Sequence, residues 1–178
     1  MRQVVAICLS SGSTRKGNAM AGVMTLEEMD IFAVADLFAG FGLRLALLPA
    51  GADIPGTYWG ATEAGLSGDQ LFVRPDTPVH SVLHEAAHFL CMPLERRAGL
   101  HRDAGGDEAE EDAVCYLQIL LGSELTATGW SRERLFADMD AWGYSFRLGS
   151  TRRWFQDDAD EARAWLQRRS LLQKGTGP

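Results

Sequence analysis

Lysine is nearly absent from this chain: of its 17 basic residues only Lys16 and Lys174 are lysines, and the arginines form no cluster interleaved with aromatic residues. Against them stand 24 acids, giving a net charge of -7. Such a surface repels phosphate backbones, so direct nucleic-acid binding is not expected. Long hydrophobic runs are also missing, none approaching the roughly 18 residues of a membrane span, and no membrane partner is expected. Cysteine is scarce. Cys8, Cys91 and Cys115 form no CxxC pair, which fits reduced thiols and a cytoplasmic location. Cys91 and Cys115 read as small buried residues on helices. The apolar stretch Val4 to Leu9 is short of the minimum of about seven residues for a secretory signal. Residues 1–24 contain no acid, and Ser10 to Gly22 is rich in small residues, so 1–24 reads as a flexible tail.

What is present is enough for one core: 178 residues, 46% apolar. Thr25 and Glu28 form a capping-box pattern, followed by Leu26, Met29, Phe32, Ala33, Leu37 and Phe38 at helical spacing up to Gly40. Leu43 to Leu48, Thr57 to Trp59 and Gln70 to Val73 read as short strands separated by glycine and proline, a small meander. Thr77-Pro78 starts a helix that Pro93 stops near Cys91, with Thr77 as cap. After a charged loop, the acids from Asp107 to Asp112 suit the positive end of a further helix that ends at Gly122. Ser131 to Trp142 and Asp158 to Arg169 read as two more helices, with Trp130, Trp142, Trp154 and Trp165 available to pack them on the core.

His84-Glu85-Ala86-Ala87-His88 is an HExxH motif inside the segment read as helical from periodicity alone. Chance makes this match rare in a chain with four histidines and eleven glutamates. On a helix the two histidines share a face and present two imidazoles to one ion, while Glu85 stands about 100° round the axis. One zinc ion suits such a site, lowering the pKa of a bound water to about 7. Glu85 is then the expected general base in the hydrolysis of a peptide bond. His80 reads as a partly exposed first-turn histidine with a supporting role as the alternative. His101, Tyr116 and Tyr144 are candidate oxyanion stabilisers.

The third ligand is open. The extended pattern HExxHxxGxxH is excluded, because Cys91 and Leu94 occupy the Gly and His positions. Glu108, Glu110 and Glu111 follow His88 at suitable distances. Helical phase places Glu110 on the face of Leu117, Leu120 and Leu121, whereas Glu111 falls beside Gln118 and Glu108 further round. Glu110 ranks first, then Glu111 and Glu108, with Asp103 as an outside alternative.

HEAAHFL followed by Glu110-x-x-Ala113, Tyr116-Leu117 and Leu120-Leu121 resembles the ImmA/IrrE-type metallopeptidases and other small gluzincins. Val114 departs from the family pattern, which carries Asn or Asp there. The resemblance implies an α+β, zincin-like core over residues 25–122, ordered helix, short meander, HExxH helix, glutamate helix. Residues 123–178 are then a helical extension packed on that core. It also implies a zinc metallopeptidase with a narrow set of protein substrates, and an edge strand, Gln70 to Val73, that pairs with the substrate. The alternative is a non-catalytic zinc-binding interaction or stress-regulatory protein of the same fold.

Overall fold

Short polar side chains set the helix starts. Asp30 accepts from the backbone N–H of Phe32 and Ala33, Asp107 from Glu110, Ser131 from Arg134 and Ser150 from Arg153. The computed structural model describes residues 22–58, 60, 62–101 and 104–172. Among them run α1 (Ile31–Ala39), β1 (Arg44–Leu47), β2 (Gly65–Ser67), β3 (Gln70–Val73), α2 (Val79–Cys91), α3 (Leu94–Arg97), α4 (Glu108–Ser123), α5 (Arg132–Trp142), α6 (Thr151–Asp157) and α7 (Asp160–Arg168). The class is α+β, as expected. No helix among the described residues is long and apolar enough to cross a membrane.

Several local readings are corrected. The Glu28 carboxylate does accept the Thr25 backbone N–H at 2.8 Å, but the pair closes only a 3-10 turn, Leu26–Glu28. Asp30 then restarts the chain as α1, which shifts the phase: Val34 and Phe38 point inward and Phe32 is 78% exposed. Thr77 is not the cap of α2, because its hydroxyl accepts from the Arg74 N–H at 2.9 Å within the preceding turn, and extended Pro78 becomes the cap. Thr57 is not in a strand. Its hydroxyl closes a turn with the backbone of Gly60 at 3.1 Å, and Trp59 lies outside the described residues.

The sheet order is β1-β3-β2, with β1 parallel and β2 antiparallel to β3. This is not the expected meander. β3 is central and paired on both sides, so Gln70–Val73 is not the open edge a substrate would join; β1 and β2 are the outer strands. Leu66 and Leu71 face each other across the β2–β3 pair, both fully buried. Gly65 in β2 is dictated by close packing, since a Cβ there would lie 2.0 Å from the Pro55 carbonyl oxygen.

α2 lies at the centre, against β2 and β3 on one side and α4 and α5 on the other. Ten of its thirteen residues are buried, including Ala86 and Ala87 of the HExxH motif. α4 in turn packs on α5 and α7, and Trp154 and Trp165 close the same hydrophobic cluster. The end of the expected tail is held: Val23 and Met24 are buried, the Met24 N–H donates to Asp138 at 2.9 Å and Arg134 donates to the Gly22 carbonyl at 2.6 Å. Residues 1–21, Cys8 among them, lie outside the described residues.

Candidate metal centre

The helical spacing of His84 and His88 turns both imidazoles toward α4 from one face of α2. Their Nε2 atoms lie 3.1 Å apart. The third group is Glu111, not the first-ranked Glu110: a Glu111 carboxylate oxygen is 3.6 Å from His88 Nε2, and the other is 4.0 Å from His84 Nε2. These donor atoms all lie within 4.8 Å of one another, close enough to hold one metal ion. Tetrahedral coordination with bonds of about 2.0–2.1 Å requires donors roughly 3.3–3.4 Å apart, so the group fits an ion of that kind with small adjustments. The three side chains are 13%, 8% and 26% exposed, in the order His84, His88, Glu111. The cluster is therefore walled in but reachable from its Glu111 side.

Glu110 is turned one residue further round α4, where both of its oxygens meet the guanidinium of Arg96 from α3. It is the more buried of the two glutamates, 8% exposed as a side chain. Glu108 is exposed at the first turn, and Asp103 lies outside the described residues. Helical phase favours Glu110 only if one apolar face of α4 marks the inward direction. Residues Ala113 to Ile119 are all buried, so apolarity marks no single direction on α4. The informative residue was Gln118, seven positions after Glu111 on the same face.

Gln118 is fully buried and uses each end of its amide. Its Oε1 stands 3.1 Å from His84 Nδ1, which fixes that proton on Nδ1 and leaves the Nε2 lone pair directed at the cluster. Its Nε2 donates to the His80 carbonyl at 2.8 Å. Tyr144 stands edge-on to His84 with ring centroids 5.8 Å apart. Burial pushes its hydroxyl well above the usual tyrosine range. The other candidate tyrosine, Tyr116, is elsewhere, stacked on Phe155 at 4.7 Å in the core. His101 is exposed.

His80 is not the exposed first-turn residue that the sequence suggested. It is 1% exposed, tilted on Trp142 at 4.9 Å and edge-on to Tyr144 at 5.7 Å, and neither ring nitrogen has a partner among the described residues. Burial lowers it to about 3. Burial likewise lowers His84 to about 4, opposed by its bond to Gln118, and takes His88 well below the usual histidine range. All three rings are neutral near pH 7, the state in which imidazole ligates metals. Glu85 is half-buried on the adjacent ridge. Burial first, then the charges of Glu63 and Glu111, raise it to about 8. Cys91 and Cys115 stand on the same two helices, both buried and free; burial pushes Cys91 up to about 12 and Cys115 well above its ordinary range.

Compared with protein-family models, curated proteins and solved structures, the chain matches none of them.

Proposed function

We propose that this chain is a zinc-dependent metallopeptidase that hydrolyses a peptide bond in a narrow set of protein substrates. The observation that carries the reading is the convergence of His84, His88 and Glu111 on one point, with Glu85 beside them and Gln118 orienting His84. The order helix, small sheet, HExxH helix, glutamate helix supports a zincin-like core of the ImmA/IrrE kind. Two imidazoles and a carboxylate favour zinc over the hard cations, which prefer oxygen-rich sites.

His84, His88 and Glu111 would hold the ion, which when bound supplies Lewis acidity for activating water and polarising a carbonyl. The remaining steps belong to the protein. Glu85 lies one residue past His84, about 100° round α2, so its carboxylate stands next to the ligand group without joining it. Raised to about 8 in the metal-free protein, Glu85 would be ionised when a bound cation beside it lowers that value, and from there it takes the proton of the attacking water and delivers it to the leaving amine. Gln118 keeps His84 in one tautomer and one orientation. The partly enclosed walls limit access, consistent with selective cleavage rather than general degradation.

The test combines metal analysis with hydrolysis of a peptide library. The purified chain should bind about one zinc per molecule, lose hydrolysis to a chelator and regain it with added zinc. Glu85→Gln should keep the zinc and lower turnover by roughly 10²- to 10⁴-fold. Zinc binding without hydrolysis of any library member, or full turnover in Glu85→Gln, overturns the reading.

A further inference from the structure

Arginine reaches only some of the enclosed carboxylates. Asp138 is paired with Arg134, Glu110 with Arg96 and Asp158 with Arg147. Glu63, like Asp112, is not so paired among the described residues. Among them Glu63 is half-buried and receives one neutral hydrogen bond from Trp142 Nε1 at 3.1 Å.

Its position is fixed from two sides. The next residue, Ala64, donates its backbone N–H to the Ser81 hydroxyl at 3.0 Å, and Ser81 is one turn before Glu85 on the same ridge of α2. That pins Glu63 beside the ridge of the general base, at the entry to outer strand β2. On the other side, Trp142 leans on His80, His80 meets Tyr144, and Tyr144 meets the ligand His84. The carboxylate thus ends an aromatic wall that starts at the metal centre. Burial raises Glu63 to about 7, opposed by the Trp142 hydrogen bond, so a cationic group placed beside it would favour its ionised form. The wall also holds His80, whose two buried ring nitrogens have no partner among the described residues. A half-buried carboxylate without an arginine, held by an indole and next to the ridge of Glu85, suits a positively charged ligand group.

We propose that Glu63 is the anionic pole of a substrate subsite beside the metal centre, which takes an ammonium or guanidinium group of the peptide next to the scissile bond. The peptide's α-ammonium and a Lys or Arg side chain share this chemistry. The inference rests on the peptidase reading for the words "substrate" and "scissile", and its test separates the two.

Binding of four small amides to the full-length chain, measured by calorimetry, distinguishes the sources: norleucinamide carries only the α-ammonium, Nα-acetyl-lysinamide only the side-chain ammonium, lysinamide both, and Nα-acetyl-norleucinamide neither. Kinetics follow on peptides differing only in the same groups. The expected result is a preference of roughly 10- to 100-fold for one cationic class over the neutral amide. Glu63→Gln, which can still accept from Trp142, should erase it, and Glu63→Asp should retain much of it. Circular dichroism and zinc content matching wild type establish that both variants are folded. Selective cation binding that Glu63→Gln abolishes supports the subsite even if no peptide is cleaved, in which case only the peptidase reading falls. Equal binding of all four amides, or a preference that survives in Glu63→Gln, overturns the subsite while leaving the peptidase reading standing.

Discussion

Glu110 and Glu111 are adjacent and chemically identical, yet one closes an ion pair with Arg96 and the other faces two histidines. The 100° between successive helical residues is enough to divide these roles. Metal titration should separate them: Glu111→Ala removes a ligand and should weaken zinc binding by more than the roughly 10- to 100-fold expected for Gln118→Ala, which removes only the His84 partner. Glu110→Ala should leave zinc affinity near wild type while lowering thermal stability, because it strands a partly buried guanidinium. Loss of zinc in Glu110→Ala, with Glu111→Ala unaffected, would reverse the assignment. At this scale the sequence was informative where residue type and spacing sufficed, as for His84, Glu85 and His88. It was silent where a choice depended on which side of a helix, buried all round from Ala113 to Ile119, faces which neighbour.

At the scale of elements, α2 and β3 were legible because Pro78 and Pro93 bracket one, and the Gly68 turn and Pro75 bracket the other. The two-stage start at Thr25 and Asp30 was not, since two competing caps lie within one helical turn and only packing decides which phase continues. α6 escaped notice because seven residues are too short for periodicity. The pairing of β1 with β3 is non-local, and nothing in either strand announces it. Two glycines test how tightly these elements meet. A Cβ at Gly65 would strike the backbone of Pro55 at 2.0 Å, while one at Gly122 would meet the movable Leu135 side chain at 2.6 Å. Gly65→Ala should cost more than about 3 kcal/mol of unfolding free energy and Gly122→Ala about 1–3 kcal/mol. Urea denaturation midpoints report both, and an equal, small effect would show that the 55–57 segment yields.

The whole molecule is laced by contacts distant in sequence. Asp138 of α5 holds Met24, and Thr25 bridges to Pro78 at the start of α2. The central helix also gives the fold a pH signature. His80 titrates near 3 in the folded chain and near 6.5 when unfolded. Between those values the unfolded chain binds the extra proton, so stability is full above pH 6.5 and falls as pH drops toward 3. In metal-free protein His80→Leu should flatten that slope, by roughly 5 kcal/mol at full extent. Denaturant titrations from pH 7 to 3.5 measure it, and an unchanged slope would assign acid sensitivity to other groups.

The two free thiols at the interface of α2 and α4 have a use of their own. Buried and held as thiols, Cys91 and Cys115 can react with an alkylating reagent only when the helices that carry the candidate metal ligands part. In a Cys8→Ser background, the rate at which they acquire label is therefore a clock for opening of this interface. Added zinc should slow that clock in proportion to its occupancy, which makes label uptake by mass spectrometry an assay of metal binding that needs no substrate.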